Sequence, residues 1–313
     1  MHLSPTAANM LRQVVFSALA FATITLTGCG TPGSTLGTPN KVAMGPVPTA
    51  TSTTTSTSTT TSTSTTTTST TSSTGSTSSG STSSSGSSSS GSTSTVPVLL
   101  FNGTGTSSSD VSAVEAVLAT LKLKYNTANS SQLKSMTQSQ LQAYKLFIVP
   151  GGNSITIGNN LSTAATTNVR NAVSNGLHYM GFCAGSFFGG YSIYNGLDLT
   201  SGVWFDFFAD EFKGIHLEAV EISFPAGGPL DIYWQDGPQL SGWGNIVGKY
   251  PDGTPAIAES SYGKGFVMLS GVHPEAPAGW RNGMKFTTPL AVDLAYAGTL
   301  ITSALSATPL KHF

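Results

Sequence analysis

Two short segments carry residues whose types and order could do chemistry. Gly181-Phe182-Cys183-Ala184-Gly185 sets one thiol between glycines, directly after an apolar run from Leu177 to Phe182. A tight strand-to-helix turn of this kind pushes its central side chain to the carboxyl edge of a sheet, with the N–H groups of the following turn facing it. A thiol nucleophile also needs a base and oriented N–H donors for the developing oxyanion. Far downstream, Gly265 to Leu269 reads as a strand, and His273-Pro274-Glu275 soon follows. The candidate roles are Cys183 as nucleophile, His273 as base and Glu275 as its orienting carboxylate, with the N–H groups of Gly152 and Ala184 as oxyanion donors. If His273 and Glu275 stand on an extended strand end, the proline between them holds both to one side. Such a set attacks the carbonyl of a small amide or ester.

Other residues have competing readings. His216-Leu217-Glu218 repeats the His-x-Glu spacing without the apolar strand before it. A metal centre built from His216, Glu218 and His273 is set aside, so no metal and no cofactor are expected. His178 lies within a strand and reads as a satisfied core histidine. Trp204, Phe205, Phe207 and Phe208 read as core or lid, or as walls of a pocket beside the thiol. Asn102 to Thr106 is either an anion-binding turn or a plain turn after the first strand.

The elements that must position these residues follow from periodicity. Val96 to Phe101 is a strand, and Asp110 to Leu121 is a helix with Asp110 as its cap. Leu123 to Thr127 is a strand, Thr137 to Ala143 a short helix, and Leu146 to Val149 a buried strand closed by Pro150-Gly151-Gly152. Thr163 to Ser174 is a helix ended by Asn175-Gly176, and Leu177 to Phe182 is the next strand. This alternation predicts an α/β fold with a mostly parallel central sheet and helices on both faces. After Gly190 the pattern changes to an antiparallel β extension: Ala219 to Phe224, Pro229 to Trp234, Pro255 to Glu259 and Gly265 to Leu269. Tyr262-Gly263-Lys264-Gly265 joins the last two as a hairpin. Thr288 to Ala304 is a final helix. Asn102, Gly151, Cys183 and His273 then share the carboxyl edge of the sheet, where such folds collect function.

Composition bounds the rest of the 313 residues. Residues 1–28 read as a bacterial export signal, with Arg12 as the only Lys or Arg and an apolar run from Val14 to Leu26 that is short for a membrane span. Leu26-Thr27-Gly28-Cys29 resembles a lipobox, which implies lipid on Cys29 and a protein anchored to the membrane of the cell envelope on its exported side. Residues 29–95 are dominated by Ser and Thr, with nothing to bury against the cost of ordering, and form a tether. As a flexible coil, about 60 such residues reach on the order of 45 Å. Residues 96–313 suffice for one domain with a full core. Net charge is −1 and charged residues make up 9%, which argues against nucleic acid as a partner. Of two cysteines, if Cys29 carries lipid, Cys183 has no disulfide partner and is either inert or reactive.

The Gly181-to-Gly185 turn, followed by His273-Pro274-Glu275, resembles the class I glutamine amidotransferase-like superfamily. The N-terminal domain family of biotin–protein ligases is similar in more places: Phe101-Asn-Gly-Thr-Gly-Thr-Ser107, Val149-Pro-Gly-Gly152, Gly181 to Gly185, Tyr233 to Pro238, and Tyr262 through Glu275. The resemblance spans Val96 to Ala304. It implies a flavodoxin-like three-layer sandwich and the triad Cys183, His273 and Glu275. It also implies a substrate side lined by Asn102, Gly151, Phe187 and Trp234, the last at a pocket rim. One departure concerns activity: glutaminases of the superfamily place a glutamine one helical turn after the nucleophile, where this chain has Phe187. The sequence also carries no synthase domain and no biotin-ligase catalytic domain. Two readings stand: a lipid-anchored exported cysteine hydrolase or amidase, and an idle ligand- or partner-binding module of the same fold at the membrane surface. A third makes the Ser/Thr stalk the working part. The sequence specifies no protein partner.

Overall fold

The computed structural model describes residues 96–313. The expectations for the signal peptide, for lipid on Cys29 and for the tether lie outside the described residues. Among the described residues, no helix is long and apolar enough to cross a membrane.

The centre of the domain is a sheet whose strands are apolar on both faces. β1 (Val98–Phe101) and β3 (Leu146–Val149) are buried at every position. Such two-sided burial is what parallel strands between helical layers require. β2 (Tyr125–Ala128), β4 (His178–Phe182), β9 (Asn245–Lys249), β10 (Pro255–Tyr262) and β11 (Gly265–Ser270) complete a seven-stranded sheet of order β2-β1-β3-β4-β11-β10-β9. β2, β1, β3, β4 and β11 run parallel, and β10 and β9 extend them antiparallel.

Strand parity divides the core. Val98, Leu100, Leu146, Ile148, Met180 and Phe182 face one layer, with Val114 and Leu118 of α1 (Ser108–Thr120) and Leu300 and Ile301 of the last helix (Leu290–Ser306). Leu99, Phe101, Phe147, Val149 and Tyr179 face the other. That layer holds α2 (Ser130–Ser135), α3 (Gln138–Leu141), α4 (Ser154–Asn159) and α5 (Thr163–Ser174), which contribute Leu133, Leu141, Ile157 and Val169 respectively. Each large apolar side chain so buried contributes about 1.5–3 kcal/mol. The expected three-layer α/β architecture is observed.

Boundaries differ where local polar chemistry decides. The cap of α1 is Ser107, whose hydroxyl accepts from Asp110 N–H, so Asp110 is not the cap but a residue of the first turn. α2 and α3 are short, Ser- and Gln-rich helices closed by capping boxes at Asn129/Gln132 and Thr137/Gln140. A short strand pair, β5 (Asp206–Phe207) with β8 (Pro238–Gln239), and a hairpin, β6 (Leu217–Ile222) with β7 (Leu230–Gln235), cover the carboxyl side of the sheet.

Candidate active site

β4 ends at Phe182 and α6 (Ala184–Gly189) starts at Ala184, which leaves Cys183 alone to make the turn. Its backbone sits at φ 45°, ψ −104°, a strained conformation for a residue with a side chain. Both flanking glycines are needed for the close approach. A Cβ on Gly185 would stand 1.9 Å from Val149 O, and one on Gly181 would stand 2.5 Å from the Gly185 carbonyl carbon. Ser186 locks the turn to β11: its hydroxyl accepts from Ser270 N–H at 2.9 Å and reaches Gly181 O at 2.9 Å and Ser270 O at 2.8 Å. The thiol stands at the carboxyl edge of the parallel strands, as expected, and is nearly buried at 6% exposure.

His273 reaches the thiol from just beyond β11. Its N–H donates to Tyr233 O at 2.8 Å in an isolated antiparallel bridge, which fixes its backbone. The segment after it is a turn, not the extended strand end expected: Ala276 N–H donates to His273 O at 3.1 Å, with Pro274 next in the turn. The turn curls Glu275 back, and Nδ1 of His273 meets Glu275 Oε1 at 2.9 Å. Asp110 Oδ1 lies 3.5 Å from the same Nδ1. Glu275 thus bonds Nδ1 while Asp110 faces it with its charge, and the Cys183 thiol is near enough to the ring for each to shift the other's proton affinity. Tyr233 and Trp280 wall the imidazole edge-on, with ring centroids at 5.8 Å and 5.7 Å.

The electrostatics follow from burial. Burial pushes the Cys183 thiol up; His273 pulls it down without overcoming this, and Asp110 and Asp236 add to the rise. The resting thiol donates instead to Gln235 O at 3.4 Å. For His273, burial lowers the affinity for a proton, but Glu275 and Cys183 outweigh it and hold the ring well above its ordinary value. Glu275 is raised by burial, partly offset by His273. Its Oε2 has no partner.

The oxyanion donors expected from the sequence are free of competing backbone bonds. The bridge between Thr106 and Gly152 runs through Ser107 N–H to Gly151 O and Asn153 N–H to Gly105 O, so it does not use the Gly152 N–H. Ala184 N–H is in the first turn of α6, whose intrahelical bonds to Cys183 O start at Ser186 and Phe187.

The four residues expected on the substrate side fare differently. Gly151 sits at the site, but as clearance: a Cβ there would fall 2.0 Å from Asp110 Oδ1 and 2.9 Å from His273 Cε1. Phe187 is buried edge-to-face against Phe207 at 5.1 Å. Asn102 is exposed past the end of β1, its N–H bonded to Ala128 O. Trp234 is not a pocket rim. It is fully buried, packs on Phe208 at 5.5 Å and donates Nε1–H to Gly237 O at 3.2 Å. Strand alternation is the reason: its neighbours Tyr233 and Gln235 face His273 and the thiol, and Tyr233 OH donates to the Gln235 side chain at 2.8 Å. Asp110, Tyr233, Gln235 and Trp280 were all missed as site residues, and only the period of β7 could have pointed to two of them.

The other histidines are elsewhere. His178 accepts Phe266 N–H at 3.0 Å and is lowered by burial, as a structural histidine would be. His216, Glu218 and His273 do not form a cluster. His216 pairs with Asp236 and Glu211, and Glu218 is raised to about 7 by burial and by the nearby Asp210.

Residues 96–202 match the family model described as biotin-protein ligase, N terminal. The fold is α/β, with a mostly parallel mixed sheet between helical layers. Among solved structures, a glutamine amidotransferase is similar at 20% identity over 57% of this chain and 90% of its own, with a TM-score of 0.45. A glutamine amidotransferase from Thermotoga maritima shows 11% identity over 68% of this chain and 90% of its own, with a TM-score of 0.41. A ThuA-like protein from Bacteroides uniformis shows 8% identity over 56% and 82%, with a TM-score of 0.39. No curated protein matches the chain.

Proposed function

We propose that this amidotransferase-like domain is a cysteine hydrolase or amidase acting on a small amide or ester through Cys183, His273 and Glu275. The observation that carries the reading is the His273 ring held by Glu275 at 2.9 Å beside a thiol on a strained turn. With Nδ1–H held by Glu275, the ring presents its other nitrogen as the base. His273 takes the thiol proton, Cys183 Sγ attacks the carbonyl carbon, and the oxyanion faces the N–H groups of Ala184 and Gly152. His273 returns the proton to the leaving amine or alcohol, and water hydrolyses the thioester. The raised thiol and its bond to Gln235 O keep the nucleophile protonated, and the raised ring keeps a second proton until the pH passes its value, so attack runs through the form with a neutral His273 and needs substrate to displace the Gln235 contact before proton transfer. Lipid on Cys29 would hold this chemistry at the envelope membrane. A Cys29→Ala variant that still incorporates labelled palmitate would remove that part.

The test is acylation of the purified protein by p-nitrophenyl acetate, read by intact mass and by release of nitrophenolate. The expected result is one acetyl group on Cys183, absent in Cys183→Ala and slowed in His273→Ala. A second reading, the idle binding module, is favoured by Phe187 standing where glutaminases place a glutamine. Absence of acylation, with ligand binding unchanged in Cys183→Ala, would establish that reading instead.

A further inference from the structure

A second histidine–carboxylate group lies outside the triad. The single-turn segment Ala209–Lys213 carries Glu211 into the interior, where its side chain is only 2% exposed. His216 follows immediately before β6, and Asp236 follows immediately after β7. The Asp236 N–H donates to His216 O at 3.1 Å, which ties the two ends of the hairpin together. His216 Nδ1 then lies 3.0 Å from Asp236 Oδ1 and 3.2 Å from Glu211 Oε1. One ligand atom from each of the three residues falls within 4.8 Å of the other two.

The arrangement is incomplete as it stands. The Glu211 and Asp236 carboxyls each bring an oxygen within 4.8 Å of the other. Glu211 Oε2 is buried and accepts no hydrogen bond. The nearby cation does not help: Lys213 of the same turn pairs with Asp210, and no lysine or arginine salt bridge reaches Glu211 among the described residues. Leaving a buried carboxylate oxygen unpartnered costs about 1–3 kcal/mol or more. One His Nδ1 has a single hydrogen and satisfies only one of the two carboxylates facing it.

The geometry points to a site for a divalent first-row transition ion, of the zinc class, held by Glu211, His216 and Asp236. Metal bonds of about 2.0–2.1 Å in a tetrahedron set neighbouring donors roughly 3.3 Å apart, which matches the two measured His–carboxylate separations. One imidazole nitrogen with two carboxylate oxygens suits zinc, cobalt or manganese better than calcium, which takes six to eight oxygens. His216 is half exposed, so an ion has an entry path and a fourth position for water. The ion would clamp the Ala209–Lys213 turn to the open end of the β6–β7 hairpin, next to Gln235, whose carbonyl receives the Cys183 thiol.

The test uses the full chain, stripped with EDTA and titrated with zinc against a chromophoric competitor, then with cobalt. One zinc per chain with micromolar or tighter affinity is expected, together with a higher Tm. His216→Ala and Asp236→Asn should each weaken binding at least about 100-fold. Cys183→Ala and His273→Ala should leave it intact, and the cobalt spectrum should lack thiolate charge transfer. Zinc binding abolished by Cys183→Ala or His273→Ala would overturn the assignment, because it would place the ion at the triad. Binding indifferent to His216→Ala and Asp236→Asn would overturn it too. So would no binding at all, which would leave Glu211 and Asp236 sharing a proton.

Discussion

The molecule contains the spelling His-x-Glu twice, and the two copies are built differently. At His273-Pro274-Glu275 a turn folds Glu275 back onto its own histidine in the interior. At His216-Leu217-Glu218 the glutamate continues along β6 and pairs across the hairpin with Trp234, near Asp210 rather than its own histidine. His216 takes its carboxylates from Glu211 and Asp236 instead, and half of it faces solvent. The same three-residue spacing therefore yields a triad in one place and a split cluster in the other. Proline and the hydrogen bond from Ala276 make the difference, because they close a turn that a strand cannot.

The largest test of that contrast exchanges each glutamate for its amide. Glu275→Gln keeps the volume but loses the acceptor that fixes Nδ1–H, so acyl transfer should fall by about 10³–10⁴-fold. Glu218→Gln, in the other copy, should leave acyl transfer within about twofold. Equal losses measured by nitrophenolate release would mean that Glu275 does not orient His273.

Gly151→Ala probes the same turn from its far side. The added methyl would meet Asp110 Oδ1 at 2.0 Å and His273 Cε1 at 2.9 Å, so the ring must move. Displacement on the ångström scale costs about 10²-fold in rate, and overpacking costs roughly 1–3 kcal/mol of stability. Steady-state rates and urea unfolding would read the two effects separately. A variant with wild-type rate would show that the contact relaxes through Asp110 alone.

The origin of these differences explains how much was legible beforehand. The thiol turn was readable because the glycines on both sides of Cys183 mark close backbone approaches, Gly185 to Val149 O and Gly181 to Gly185. The central strands were readable because continuous apolar runs such as Leu146 to Val149 have few other uses. Asp110 was not readable as a site residue, because an acidic residue near a helix start serves a cap equally well and only the tertiary fold brings it to His273. Trp234 was misplaced by one residue of strand parity: the side of β7 that faces His273 is set by the bridge between Tyr233 and His273, a contact between distant segments. β9 escaped notice because it has only five residues and Gly248 interrupts them. α2 lacks an apolar face long enough to show a period.

The pH dependence separates the two clusters. Glu211 is pushed up to about 9 by burial and its contacts with Asp236, from an ordinary value of 4.5. In the EDTA-stripped protein the folded chain therefore holds a proton that the unfolded chain releases, and stability falls as pH rises from about 4.5 to about 9. His273, raised above its ordinary 6.5, contributes stability that is full below that value and is lost as pH rises through its folded value. Urea midpoints measured across this range in EDTA should decline in the wild type, and Glu211→Gln should flatten the decline that begins near 4.5 while leaving the His273 part. An unchanged profile in Glu211→Gln would mean that Glu211 carries no extra proton in the folded state.

The smallest effect should come from Asp110→Asn, which asks whether the triad uses its second carboxylate. Nδ1 carries one hydrogen, and Glu275 at 2.9 Å claims it; Asp110 at 3.5 Å is beyond hydrogen-bond distance and acts only through its charge. That charge also opposes thiolate formation at Cys183. Removing it weakens the support for an imidazolium and eases ionisation of the thiol, and the two effects oppose each other in the rate. The expected change in acyl transfer is less than about tenfold, whereas the pH midpoint of Cys183 alkylation should move down. A midpoint that moves up would make Asp110, and not Glu275, the carboxylate that holds the proton on His273.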